Sequence, residues 1–165
     1  MSAYHEMFQV ETEKGITFRD VTDTVIQAAA SSGIKNGLVN VYSQHTSCSI
    51  LIQEDSEDVT YNHVPLVLQD MVNVLEKIIP DCSYEGQYLH PGPIHSKNAQ
   101  ELRQEKTEWL LNTDGHLRSV LLGRSETIPL VEGEIMLGEF GRIYFADMDQ
   151  TRERTRCVRV QIVGD

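Results

Sequence analysis

The chain lacks most of the features that announce a chemistry at sight. Its three cysteines, Cys48, Cys82 and Cys157, are odd in number and widely spaced, and no CxxC pair occurs. That excludes a zinc ribbon and argues against a disulfide framework, so the thiols are read as reduced, with Cys48 and Cys157 packed in strands. No GxGxxG or GxxxxGK[ST] run is present, which argues against a dinucleotide fold or a P-loop. GxSxG and HExxH are also absent, so neither a hydrolase elbow nor a helical zinc pair is supported. No apolar run approaches the roughly 18 residues of a membrane span. The opening Met1-Ser2-Ala3-Tyr4-His5-Glu6 lacks the charged-then-apolar pattern of a signal peptide, and a cytoplasmic protein is the expectation. Positive charge is scarce as well: 14 Lys and Arg stand against 25 Asp and Glu, for a formal net charge of -11. Such a chain repels nucleic acid and anionic membrane, so neither is expected as a partner.

What is there is the composition of a folded protein. The 165 residues are 40% hydrophobic and 24% charged, enough for a single domain over 1–165 with its own core. Alternation from Met7 to Glu13 predicts a strand, Gly15 a turn, and Ile16-Thr17-Phe18 a returning strand. Asp20 or Thr22 caps a helix that carries Val21, Val25, Ala28 and Ala29 on one face, and Gly33 stops it. Leu38 to Ser43 and Ser49 to Gln53 read as two strands lying side by side around a short polar turn that holds His45. The second helix has a stripe of Val64, Val67, Leu68, Met71, Leu75, Ile78 and Ile79, begins near Asn62 or His63, and ends at Pro80. From Tyr84 to Asn112 the pattern is irregular. Pro91-Gly92-Pro93 forbids a helix there, and a short helix is expected only over Asn98 to Leu111. A short helix over Gly115 to Leu122 follows. Ser125–Leu130, Glu134–Leu137, Arg142–Met148 and Cys157–Val163 then read as strands, with a charged exposed turn from Asp149 to Arg156. Two main helices among six or seven strands define an α+β fold.

Several residues can carry chemistry. His45 at its turn and Glu54-Asp55 at the end of the next strand can meet if those strands pair, and imidazole with carboxylates binds a divalent cation or moves protons. The plainer alternative is that His45 fills a turn and Glu54-Asp55 begin a helix. His90 and His116 also lie at element boundaries, and a cleft shared by all three histidines is one outcome. Asp147 and Asp149 are two apart in a strand and share a face. Arg118, Ser119, Arg124 and Ser125 form a cationic, hydroxyl-rich cluster suited to phosphate oxygens, or else a helix end with arginines favoured by the dipole.

The combination of Gly33-Ile34, Gly37-Leu38-Val39, His45-Thr46-Ser47, Glu54-Asp55, Asp114-Gly115-His116, Leu121-Leu122-Gly123 and Leu137-Gly138 resembles the YjbQ-like family, also called the secondary thiamine-phosphate synthase family. Ile143 to Asp149 followed by Arg152 completes the pattern, from about Phe8 to Gly164. The resemblance implies a β-sandwich with two main helices, assembled as a homotrimer. It implies a transferase that joins a pyrimidine diphosphate to a thiazole phosphate, giving thiamine phosphate and pyrophosphate. Its polar set falls on His45, Thr46, Glu54, Asp55, His90, His116 and Asp147. Gln53, Gly115 and Gly141 depart from the family pattern, and residues 91–113 form an insertion.

On these grounds His45, His116 and Glu54 are the expected catalytic groups, and Thr46, Arg118, Ser119, Arg124 and Ser125 the expected contacts to a phosphorylated small molecule. His45, His90, His116, Asp55 and Asp147 are the expected ligands of a divalent metal, magnesium or zinc. The alternatives are a non-enzymatic trimer that binds a metal or metabolite, and a metal-dependent hydrolase using the same set.

Overall fold

Strict alternation builds the larger of two sheets. β1 (Ser2–Thr12), β3 (Gly37–Ser43), β5 (Ser125–Val131) and β8 (Arg154–Gly164) join the two-residue β6 (Glu134–Ile135) in the order β1-β8-β3-β5-β6, all pairs antiparallel. Val39 and Val41 of β3 and Val158, Val160 and Ile162 of β8 point inward and are fully buried. Their neighbours Leu38, Asn40 and Tyr42, or Arg159 and Gln161, remain at least partly exposed on the outer face. The computed structural model, which describes residues 1–165, closes this core with a second sheet of β2 (Thr17–Asp20), β7 (Gly141–Asp147) and β4 (Cys48–Glu54), in the order β2-β7-β4. Cys48, Ile50, Ile143 and Phe145 meet the first sheet, together with Val25, Ala28 and Ala29 of α1 (Thr22–Ser32). Each fully buried Val, Ile or Phe among them contributes about 1.5–3 kcal/mol by leaving water.

The second sheet is covered on both sides, so Ile143 to Asp147 are all buried without alternation. Its far side packs on α2 (Leu66–Ile78) through Leu51, Tyr144, Ala146 and Met148 against Leu68 and Val72. α2 starts at Leu66 rather than near Asn62. His63 adopts a positive φ of 59°, and Pro65 caps the helix in an extended conformation, so no helical turn precedes it.

The structure is mixed α and β, with eight strands rather than six or seven, and with two further α-helices beside the two main ones, where two short helices were expected. One added helix, α3 (Pro93–Arg103), begins inside the stretch read as helix-free. Pro93 occupies the first turn, where its missing N–H has no intrahelical partner to lose. The other is α4 (Thr113–Leu122), close to the expected short helix. A 3-10 turn at Thr107–Leu110 lies between them.

The adjacent-strand expectation is corrected. β3 uses both of its edges, pairing with β8 and β5, and so has none left for β4. β4 pairs with β7 instead. Residues 44–47 therefore cross from one sheet to the other, and His45 sits at that corner.

A polar cleft where the two sheets part

The corner opens into a cleft of about 270 Å³ lined by nine residues, none hydrophobic: Gln44, His45, Thr46, Ser47, Asn112, His116, Asp149, Arg154 and Arg156. Three elements meet there: the corner after β3, the start of α4, and the loop from β7 into β8. α4 comes close because residue 115 is glycine. A Cβ there would stand 2.8 Å from the Met148 carbonyl oxygen and 3.1 Å from the Asp149 nitrogen. This approach sets His116 beside Asp149 at the rim.

The carboxylates of this region are already saturated. Asp147 accepts from Arg156 Nε at 2.7 Å and Nη2 at 3.2 Å, from the Asp149 N–H, and from the Thr12 hydroxyl. Asp149 accepts from Asn112, from the Thr151 N–H and hydroxyl, and from Arg154 Nη2 at 2.7 Å. Burial pushes the Asp149 pKa up, but the hydrogen bonds from Asn112 and Thr151, with Arg154, hold it below the ordinary carboxylate value. The groups left over are donors. Arg154 Nε is buried without a partner. His45 Nε2 accepts the Cys157 N–H at 3.0 Å, so the neutral ring carries its proton on Nδ1, which has no partner in the chain. Burial first, and the Arg156 charge second, lower the His45 pKa and favour that neutral form.

His90 is fixed in the same way. The Thr113 hydroxyl gives its only proton to the His90 carbonyl at 2.7 Å, so it accepts from His90 Nδ1, leaving Nε2 as a lone pair. The His90 ring packs edge-on against His116 at 5.5 Å and His95 at 5.0 Å. Burial, then these two imidazoles, lower its pKa. Histidines with depressed pKa values are protonated more readily in the unfolded chain, so the stability they contribute is present above about pH 6.5 and lost as pH falls through their folded values. The urea midpoint is expected to drop between pH 7.5 and 5.5, with a shallower drop in His90→Gln. An unchanged slope in that variant would exclude His90 as a source of the effect.

The remaining predicted site residues are dispersed. Glu54 and Asp55 lie at the far end of β4, where Asp55 takes a hydrogen bond from Arg142 at 3.2 Å, because β4 belongs to the other sheet. Arg118 is fully buried under α4, donating to the Ile79 carbonyl and Asp81, and Ser119 donates to the Cys48 carbonyl at 2.6 Å. Both tie α4 to the body and neither faces the cleft. Arg124 and Ser125 lie on the outer face of the large sheet, with Arg124 6.0 Å from the Tyr42 ring. Cys48 is buried beside Asp147, and burial raises its thiol pKa strongly, so it stays protonated. The expected metal set does not converge within the chain. No group of three or more His, Cys, Asp or Glu side chains is placed to hold an ion, and Asp147 has no free oxygen to offer. This donor set does not fit a divalent cation.

Sequence reasoning missed Arg154 and Arg156, assigning them to an exposed turn. The signal was parity: Arg154 and Arg156 continue the inward series of Val158, Val160 and Ile162. The excursion through α3 reaches the same loop. Trp109 stacks on the Arg152 guanidinium at 4.1 Å, and Glu105 pairs with it at 3.6 Å.

The fold and site define a two-sheet α+β protein with one wholly polar, donor-rich corner cleft. Residues 6–165 match the model of the UPF0047 protein YjbQ-like family, and the chain belongs to that family. A UPF0047 protein of Methanothermobacter thermautotrophicus is 32% identical over 165 residues, covering 99% of this chain and 94% of its own. The UPF0047 protein YugU of Bacillus subtilis is 25% identical, covering 92% and 95%. Among solved structures, a YbjQ-like protein of unknown function from Sulfolobus solfataricus superimposes with a TM-score of 0.75 at 21% identity, over 99% of each chain. No helix is long and apolar enough to cross a membrane.

Proposed function

We propose that the corner cleft binds the phosphate end of a small molecule and that the reaction is the thiamine-phosphate synthase transfer implied by the resemblance. The observation that carries the first part is the surplus of donors. Arg154, Arg156, His45 Nδ1–H and Thr46 line a cleft whose carboxylates are already satisfied, which suits an anion and not a cation. In the transfer, the bond from the pyrimidine methylene carbon to the diphosphate oxygen breaks and a bond to the thiazole nitrogen forms. Pyrophosphate departs with the electron pair. The arginines and His45 stabilise that developing charge, and His116 supplies a proton to the leaving oxygen. A homotrimer, as the resemblance implies, is part of this proposal and is checked by light scattering.

Purified protein with the pyrimidine diphosphate and the thiazole phosphate is expected to form thiamine phosphate. The His45→Ala, His116→Ala double variant is expected to lose about 10²–10⁴-fold in turnover. Equal rates in wild type and double variant would remove the catalytic assignment. Tight pyrophosphate binding without turnover would instead assign the cleft to the non-enzymatic metabolite-binding alternative.

A further inference from the structure

Of the chain's nine arginines, seven form ion pairs with carboxylates: Arg19, Arg103, Arg118, Arg142, Arg152, Arg154 and Arg156. The two that do not, Arg124 and Arg159, flank a single residue. Arg159 is the cross-strand partner of Tyr42 on β8, and Ser125, next to Arg124, is its partner on β5. Arg159, Tyr42 and Ser125 share the outer sheet face by their register, and the Arg124 side chain turns toward that face from the start of β5. The Arg124 guanidinium carbon is 6.0 Å from the Tyr42 ring. Arg159 spends Nε on the Gln44 amide oxygen at 3.0 Å and Nη1 on His5 Nε2 at 3.3 Å, neither of them a carboxylate.

No carboxylate neutralises the patch from the sheet. The row through Tyr42 is Met7, Arg159, Tyr42 and Ser125, and the next is His5, Gln161, Asn40 and Thr127. Two unpaired guanidiniums in a chain of net charge -11 are a departure that solvation alone does not require. The patch is also joined to the corner cleft, because Gln44 lines the cleft while accepting from Arg159. Arg156 faces inward on β8 and Arg159 outward, so the cleft and the patch meet only at the corner that Gln44 occupies.

We infer that Arg124 and Arg159, with Tyr42 and Ser125 between them, form a second phosphate-binding site on the outer sheet face, linked to the corner cleft through Gln44. The inference rests on the proposed anion-binding role of that cleft and deepens it: a transfer between two phosphorylated molecules needs two anion sites. The outer patch takes the phosphate monoester and the cleft takes the diphosphate. Guanidinium forks and a hydroxyl match phosphate oxygens, and the open face leaves room for the rest of the molecule.

The test is a titration of the full chain with inorganic phosphate at low ionic strength, followed by NMR of the arginine Nε–H resonances. Wild type is expected to show two separable sites. The Arg124→Gln, Arg159→Gln variant should weaken the outer site at least tenfold while changing the cleft site less than twofold. Arg154→Gln should do the reverse. Thermal melts of each variant establish that the fold is kept. A single site, sensitive only to Arg154→Gln, overturns the outer site and leaves the cleft proposal standing. A single site sensitive only to the Arg124 and Arg159 changes overturns the cleft proposal and, with it, the two-site arrangement.

Discussion

Replacing Asp147 by alanine is expected to destabilise the protein by about 3–5 kcal/mol, the size typical of breaking one side of a buried ion pair. Asp147 and Arg156 are almost fully buried at the end of adjoining strands of the two sheets, and their contacts at 2.7 and 3.2 Å form a bidentate clamp. Alanine leaves the Arg156 charge without its counterion while only 8% of that side chain is exposed. It also strips an acceptor from the Asp149 N–H. Urea denaturation measures the loss. The companion change Arg156→Met in the same chain should recover much of it, because a packed apolar side chain removes the stranded charge. A loss below about 1 kcal/mol for Asp147→Ala would mean that water reaches Arg156 and that the clamp does not hold the sheets together.

The second large effect concerns Arg118. Its side chain has no exposed surface and spans from α4 to the end of α2, donating twice to the Ile79 carbonyl and to Asp81 at 2.7 Å. It also stands 3.4 Å from the fully buried Asp114 carboxylate. Burial raises the Asp114 pKa, and the Arg118 charge opposes that rise. Arg118→Ala should therefore destabilise by about 3–5 kcal/mol at neutral pH. With the arginine gone, the folded pKa of Asp114 climbs further above its unfolded value. A raised folded pKa favours the native state at low pH and loses that advantage as pH rises, so the deficit should be smaller near pH 5 than near pH 7.5. Phosphate affinity of the molecules that remain folded should stay within twofold of wild type. Unchanged stability with lost phosphate binding would return Arg118 to the ligand role its sequence neighbourhood suggested.

Much of the fold was legible because its elements follow simple periods. β3, β5 and β8 alternate, and α1 and α2 carry one apolar stripe each, so their existence followed from spacing alone. Partner choice did not. The runs on either side of His45 look like a hairpin, yet β3 sits in the interior of one sheet and β4 in the other. Nothing local to residues 39–55 records that β3's edges are claimed by strands more than 80 residues away. The same limit explains the site. His45 and His116 were singled out by type and position and Thr46 by the resemblance, and all three line the cleft, whereas Glu54 and Asp55 depended on the wrong pairing. Arg118 and Arg156 exchanged roles between expectation and structure, because a guanidinium next to hydroxyls reads as a ligand group whether it faces solvent or a buried carbonyl. Only burial separates the two, and burial is a property of the assembled fold.

The pairing of β1 with β8 from Ser2↔Gly164 to Thr12↔Arg154 also bears on how the molecule forms. β8 stands between β1 and β3, so the two earliest strands of the large sheet have no partner in each other. β3 can pair with β5 first, but β1 must wait for the last strand in the sequence. Closing a loop of nearly the whole chain before its contacts reward it is slow, and sheets with such distant partners fold in milliseconds to seconds. Arg154 and Arg156 arrive on that same strand. The corner cleft is therefore among the last parts of the molecule to be assembled, and it is complete only when the fold is.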